Sequence, residues 1–472
     1  MKKKRGLIAG TAAVAGVLAY ATQPLWAQGR EDEAAGFRAR LGLQQSFGYG
    51  DNLNLGVPGS PTDPEQGSSA TATTSVALDL SSITRTQRFN FQTGGAFRLA
   101  DLPNGSRTPT GFVDPFATLS YSREGYDSQF DLDVSLDQSD ISKSRPLWNF
   151  ENEDNELLPP GDLANLQGTG ERTSYSLATT LEIGKSAPVG FRFTAGASGV
   201  RYSNQSSNTL NDYDRQNAGL STYFRFDPTM AVVVDLRYSR FTDDSPTPDE
   251  HTRTAEVGFD KQFARGSSLS ARVGFSRVSS TNGNTASDGA TGSLSYTQPL
   301  TDGSVNGRFS VTQATNGAIT NATIRRSYTL PTGSFSFNLG ATSLYGNSPR
   351  LVGGLNWARQ MPTSQISVNL NRAVTSDSFN RDIFTTSLSA RYSHDLTLYS
   401  SLYANLSYFV SDGTSTTNRI ERNDLSLGYQ YELTEAWDLN AGLNLRMRDE
   451  ATVGKARSNE LFVSLSRRFD LN

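Results

Sequence analysis

The sequence predicts an all-β fold, a single transmembrane antiparallel up-and-down β-barrel of about 22 strands, within a range of roughly 20–24. Three observations carry this. Apolar and polar residues alternate along nearly the whole chain after residue 35, long and short connections alternate between these runs, and aromatic residues recur near both ends of the runs. The hairpin from Asp424 to Arg448 shows the alternation most plainly. Leu425, Leu427, Tyr429, Tyr431 and Leu433 alternate with Ser426, Gly428, Gln430 and Glu432. After a turn at 434–437, Leu439, Ala441, Leu443, Leu445 and Met447 alternate with Asn440, Gly442, Asn444 and Arg446. Successive strand side chains change face, so each strand has one apolar and one polar face. In water such a sheet needs a second layer; in a bilayer it can close on itself with the polar face inward.

The bulk composition agrees. A hydrophobic content of 36% and a mean hydropathy of −0.46 exclude a helical membrane bundle, whereas barrels look hydrophilic because only alternate residues meet lipid. The formal net charge of −4 gives no support for a nucleic-acid partner. With no cysteine, disulfides, thiol catalysis, Cys-ligated zinc and a lipoprotein anchor are excluded.

Taken in order, residues 1–27 read as a signal peptide. Lys2, Lys3, Lys4 and Arg5 precede a short apolar stretch from Gly6 to Ala21, Pro24 follows, and cleavage is expected after Ala27. Residues 28–35 form a short periplasmic N-terminus, and 36–472 the barrel. This leaves no room for a plug, which argues against a TonB-driven importer, or for a passenger domain, which argues against an autotransporter. The first strand places Phe37, Leu41, Leu43, Phe47 and Tyr49 on its apolar face.

Longer connections are expected at 50–69, 100–111, 141–171, 203–213, 242–251, 280–288, 412–419 and 450–457. Tight turns rich in Gly, Pro, Asp and Thr are expected at 82–86, 123–126, 184–188, 227–230, 264–266, 300–303, 331–333 and 434–437. In outer-membrane barrels the long connections are extracellular, and an even strand count puts both termini in the periplasm. Tyr121, Phe226, Phe263, Tyr296, Tyr328, Trp357, Tyr392 and Tyr431 mark one expected girdle; Tyr49, Phe97, Tyr202, Phe241, Phe275, Tyr345 and Tyr408 mark the other. Arg325 and Arg326 are adjacent, so one should face lipid unless the strand bulges; either the strand is shifted, or Arg326 snorkels, or it marks a protein contact. The last run, Leu461, Val463, Leu465, Phe469 and Leu471, is similar to the C-terminal signal read by the barrel-assembly machinery, except that Asp470, Leu471 and Asn472 follow the aromatic.

Alternation turns both signs of charge inward: Arg38, Arg40, Arg88, Arg98, Arg192, Arg237, Arg272, Arg308 and Arg325, with Asp79, Asp131, Asp133, Asp137, Glu182, Asp235, Glu256 and Asp260. Such residues either line a water-filled pore and set its selectivity or crosslink the lumen as solvated ion pairs. Asp131, Asp133 and Asp137 share one strand face with Ser135 and make a cation-attracting stripe. The connection at 141–171, with Trp148, Phe150, Glu151, Glu153, Asp154, Glu156, Leu157 and Leu158, either folds inward as a constriction or covers the mouth, or else stays a mobile acidic surface loop. Catalytic candidates are sparse: His251 in an expected outer loop near Asp243, Asp244, Asp249 and Glu250, and His394 beside Asp395 in an expected turn. Omptin-type proteases use aspartates and a histidine at that end of a much smaller barrel, but no motif here matches theirs. The loop segments Asp412-Gly413 and Asn282-Gly283-Asn284 lack a calcium ligand series. No enzyme activity, metal or cofactor is expected.

Tyr49-Gly50-Asp51-Asn52-Leu53, closing the first strand, is similar to the aromatic-x-Asp-Asn stretch of outer-membrane β-barrel porins associated with exopolysaccharide export. The short N-terminus and the full-length run of hairpins resemble that family too. The resemblance implies an outer-membrane conduit for polysaccharide. The expectation is therefore a porin-like channel for passive diffusion or export of polar solutes. Its partners would be the bilayer and its lipopolysaccharide, the assembly machinery, and small polar solutes or polysaccharide. The competing expectation is a non-conducting barrel that binds a surface partner through its extracellular loops.

Overall fold

The computed structural model describes residues 36–471, apart from 60–66, 104–109, 142–144, 153–154, 160–162, 164–169, 205–209, 245–248, 281–284, 377–381, 413–418 and 452–453. The expected signal peptide and N-terminal stretch, residues 1–35, lie outside the described residues.

The described chain is one antiparallel sheet of 22 strands. The first half runs β1 (Gly36–Asp51), β2 (Ser68–Ile83), β3 (Gln87–Asp101), β4 (Gly111–Glu124), β5 (Ser128–Asp140), β6 (Glu171–Ile183), β7 (Val189–Ser203), β8 (Tyr213–Asp227), β9 (Met230–Asp243), β10 (Glu250–Gln262) and β11 (Ser268–Ser280). The second runs β12 (Thr285–Leu300), β13 (Gly303–Ala314), β14 (Gly317–Leu330), β15 (Gly333–Leu344), β16 (Arg350–Met361), β17 (Ser364–Ser376), β18 (Asp382–Thr397), β19 (Ser400–Ser411), β20 (Ile420–Thr434), β21 (Trp437–Glu450) and β22 (Gly454–Asp470). Each strand pairs with its sequence neighbours, and β1 pairs with β22 from Arg40↔Asp470 to Asp51↔Asn459, so the ring is closed. Closure leaves no strand edge, the condition for a sheet to sit in hydrocarbon.

Every even-to-odd connection holds two to five residues, whereas odd-to-even connections extend up to the stretch 141–170. The short ones are held by their own polar side chains. In the β8–β9 turn, Asp227 Oδ1 accepts the Thr229 N–H and hydroxyl, both at 2.6 Å. The long-connection rim is the extracellular one.

The two faces separate as the alternation requires. Phe37, Phe47, Tyr49, Val273, Phe275, Leu339, Leu461 and Val463 are exposed on the outside of the ring. Tyr202 departs from the expected girdle: it sits on the inner face, buried with Ile141, Val200 and Leu210. Phe241 shares the inner face with Tyr213, their rings 6.0 Å apart. Both stand near a strand end but at a parity that points inward. Arg326 faces outward and snorkels: its guanidinium reaches Asp302 in the β12–β13 turn at 2.5 Å and lies 3.9 Å over the Tyr328 ring. That contact holds the Asp302 carboxyl below its ordinary pKa.

Candidate functional site

A closed ring creates a lumen, and the structure shows what enters it. The connection after β5 folds inward rather than standing on the surface. Its short 3-10 helix, Leu147–Phe150, begins after Pro146, whose fixed φ suits the start of a helical turn. Glu151 then bridges back to Leu157, and the Leu158 N–H donates to the Phe150 carbonyl at 2.8 Å. Asn155 turns this small hairpin in the left-handed region, φ 57°, which asparagine tolerates better than most residues. Leu147, Leu157 and Leu163 bury themselves against Phe409 of β19.

Polar contacts tie the same segment to the inner faces of β17–β20. The Leu147 N–H donates to Asp424 at 2.5 Å. Arg422 donates to the Arg145 carbonyl at 2.7 Å. Asn369 donates to the Asn155 carbonyl at 2.8 Å, and Ser389 donates to the same oxygen. Glu151 accepts from Ser407 at 2.7 Å and pairs with Arg391 at 3.3 Å. Its burial raises the carboxyl pKa against the opposing pull of Arg391 and Ser407. Of the expectations for this connection, the inward fold is the one its described residues show.

The first connection also turns inward, at the seam of the ring. Asn52, in the left-handed region at φ 44°, clamps its own loop: its Oδ1 accepts the Gly56 N–H at 2.9 Å, and its Nδ2 donates to the Gly56 and Arg457 carbonyls, each at 2.9 Å. Asp51 accepts the Asn459 N–H across the β1–β22 seam at 2.6 Å. Leu55 and Val57 pack on Ala456. Arg446 and Arg448, buried on the inner face of β21, donate to the Leu53 and Leu55 carbonyls at 2.9 and 3.4 Å. Asp51 thus braces the rim end of the β1–β22 seam, and Asn52, just beyond β1, holds the first loop.

The expected lumen residues fall on the inner face, but in different company. Arg98 pairs with Asp114 at 2.7 Å, Arg192 with Glu182 at 2.5 Å, and Arg40 with Asp470 at 3.3 Å. Arg272 bridges Asp235 at 3.0 Å and Asp260 at 2.9 Å, and Arg237 pairs with Glu256. Arg38 and Arg88 stand on the inner faces of β1 and β3. The acidic stripe is held differently. Asp131 accepts from Ser122 at 2.7 Å and Gln129 at 2.8 Å, Asp133 from Ser120 at 2.8 Å, and Asp137 from Ser174. None of these three aspartates forms an ion pair among the described residues. Asp79 likewise accepts from Gln92 at 2.8 Å. Around the ring, Arg308 and Arg325 stand on the inner faces of β13 and β14, where Arg325 donates to Ser336 at 3.3 Å.

The histidines are not where the sequence suggested. His251 lies in β10 on the outer face, its Nδ1 2.9 Å from the Tyr238 hydroxyl. His394 lies in β18, stacked on Tyr392 and 3.3 Å from the Ser364 hydroxyl. Both expectations took a charged cluster at a strand end for a loop, although the ladder runs through it. No group of three or more His, Cys, Asp or Glu side chains suited to a metal occurs among the described residues. Gly413 and Asn282-Gly283-Asn284 lie outside them. Sequence reasoning missed Arg391, Arg422, Asp424, Arg446 and Arg448 as anchors. The available signal was their inward parity beside an unusually apolar long connection.

A closed 22-strand ring with an apolar exterior and a polar lumen is an outer-membrane β-barrel, and the protein belongs in that membrane. Solved structures bear out the architecture. The chain is similar to the FrpB iron transporter from Neisseria meningitidis (F3-3 variant) at 9% identity and TM-score 0.55, over 91% of this chain and 81% of that one. It is similar to a ferric enterobactin receptor (PfeA) mutant from Pseudomonas aeruginosa at 10% identity and TM-score 0.52, over 92% and 80%. The siderophore receptor PirA from Acinetobacter baumannii matches at 9% identity and TM-score 0.52, over 92% and 81%. At such identities the likeness is one of fold. No protein-family model and no curated protein matches the sequence.

Proposed function

We propose that the protein is a porin-like conduit through which polar solutes cross the outer membrane by diffusion, narrowed at its extracellular mouth by the inward-folded segments. The observation that carries this reading is the acidic stripe on β5. Asp131, Asp133 and Asp137 are held by hydroxyl and amide donors and not by cations, so their charge is left to act on the lumen. A wall meant only to crosslink would pair them, as Arg272 pairs with Asp235 and Asp260. Arg308 and Arg325 lie eight and nine strands further round the ring, giving the lumen an acidic and a basic wall. Charged walls of this kind select by sign while leaving water in the path. Polysaccharide is the solute class suggested by the likeness of Tyr49–Leu53 to exopolysaccharide-export porins.

The test is single-channel conductance of the refolded protein in a planar bilayer, with selectivity from reversal potentials. Stable steps with cation preference are expected. Replacing Asp131, Asp133 and Asp137 together by alanine should shift the reversal potential toward anions. The docked Leu147–Leu157 region favours a second reading, a closed barrel that acts through its outer surface. Silence from folded, inserted protein would establish that reading and remove the first.

A further inference from the structure

The inner wall between β19 and β22 carries a neutral band in a lumen that is elsewhere strongly charged. Cross-strand register sets three inward rows there. The middle row is Tyr403, Gly428, Gly442 and Phe462. Toward the extracellular rim runs Asn405, Ser426, Asn444 and Glu460; toward the periplasm runs Ser401, Gln430, Asn440 and Ser464. Glu460 is the one charged residue of the three rows, and it accepts from Asn444 at 3.1 Å. On the β6–β11 wall, by contrast, Arg192 meets Glu182 and Arg272 meets Asp235 and Asp260. The docked segment bonds Ser407 and Asp424, further toward the extracellular rim on β19 and β20, so the neutral band lies beneath it.

Gly428 and Gly442 are direct cross-strand partners, and an aromatic ring covers each from the flanking strand. A Cβ on Gly428 would overlap the Tyr403 ring, and one on Gly442 would lie 2.9 Å from Phe462 Cε1. Tyr403 reaches across β20, where its hydroxyl donates to Asn440 Oδ1 of β21 at 3.1 Å, which holds the ring along the wall. Both aromatic residues are half-buried. Shielding a glycine by a cross-strand ring is a structural device in its own right. Phe116 does the same over Gly94, beside Asp137. Shielding does not account for two such rings converging on paired glycines, bordered on both sides by amides and hydroxyls.

We propose that Tyr403 and Phe462, with the amide and hydroxyl rows beside them, form a lumenal platform that binds an uncharged glycan chain. This rests on the conduit reading above and deepens it, by assigning the residues that the solute touches and the charge class of that solute. The C–H face of a sugar ring is apolar and suits the electron-rich face of an aromatic ring. Sugar hydroxyls both donate and accept, as the side-chain amides of Gln430, Asn440 and Asn405 do. The wall there offers an acidic chain no free cation in these rows, and Glu460 repels it.

Isothermal titration of the full-length, folded barrel in a detergent without a sugar headgroup tests this. Maltohexaose and cellohexaose serve as uncharged probes and hexagalacturonate as the acidic one. At least one uncharged hexamer should bind, and the acidic hexamer should bind more weakly. Phe462→Leu and Tyr403→Leu should each weaken binding about tenfold, as for the loss of one stacked ring. Tyr403→Phe, which keeps the ring, should retain most of the affinity. Phe116→Leu, which removes a ring from over a glycine outside the neutral band, should leave it unchanged. Heat-shifted gel migration verifies that each variant is folded. No binding of either uncharged hexamer, undiminished binding in both Leu variants, an equal loss in Phe116→Leu, or tighter binding of the acidic hexamer each overturns the platform. Conductance separates it from the conduit reading. A barrel that passes current and binds no hexamer keeps the conduit and loses the platform; one that binds the hexamer and passes no current does the reverse.

Discussion

Asn52 shows how much of the mouth depends on one side chain. It accepts one hydrogen bond, donates two, and occupies a left-handed backbone position. Three hydrogen bonds at about 1 kcal/mol each make Asn52→Ala cost about 3 kcal/mol locally. Hydrogen exchange at the Gly56 amide should then accelerate on the order of a hundredfold. An unchanged rate would mean that Leu55 and Val57 hold the loop without the clamp. Glu151 makes a second residue-scale case, through pH. Its carboxyl pKa is raised in the docked segment above the ordinary 4.5, chiefly by burial. The docked state therefore binds the proton more tightly than the undocked one. Docking is strongest below the ordinary value and weakens as pH rises through the raised one. Acidification from neutrality should lower single-channel conductance, and Glu151→Gln should hold the lower conductance at every pH. A wild-type conductance flat with pH would remove Glu151 from control of the mouth.

At the scale of elements, the strands and the segment they enclose are stabilised by different forces. The ladder is satisfied by backbone pairing around a closed ring, while the segment depends on four buried apolar side chains, Leu147, Leu157, Leu163 and Phe409. Truncating a buried leucine typically costs about 2–5 kcal/mol, so Leu147→Ala with Leu157→Ala should undock the segment. Limited proteolysis should then cut within 145–163 and conductance should rise, while the unfolding midpoint of the barrel stays in place. A lowered midpoint with the segment still protected would show that these leucines stabilise the wall instead. The same division explains what could be read in advance. Period-two alternation is local, so the strands, the two faces and the snorkelling alternative for Arg326 were all legible. Trp148, Phe150, Leu157 and Leu158 flagged an apolar connection, but their partners on β17–β20 lie more than two hundred residues away, as Asn155 and Asn369 do. Alternation says which way Phe409 points and nothing about what meets it. Tyr202 and Phe241 were misplaced because proximity to a strand end was weighed above parity.

For the whole molecule, the decisive property is how far the wall charges reach across the lumen. The chain carries a net charge of only −4, so selectivity must come from where charges sit: β5 aspartates without cationic partners on one wall, Arg308 and Arg325 on another. Such fields are screened over about 10 Å at 0.1 M salt and about 3 Å at 1 M. If ions pass through an open lumen, cation preference should be clear in dilute potassium chloride and should fade toward parity near 1 M. If the docked residues around Leu147, Glu151 and Leu157 confine ions against the β5 wall, the aspartates lie within even the shorter screening distance. Preference should then survive at high salt and collapse only in the triple alanine variant. Reversal potentials across a salt series, measured on the wild type and on the Leu147→Ala, Leu157→Ala variant, separate the two. Persistence in the first and fading in the second would place the selectivity filter between the segment and the acidic wall. Identical curves would show that the segment rests against its own side of the barrel and leaves the path to the solute open.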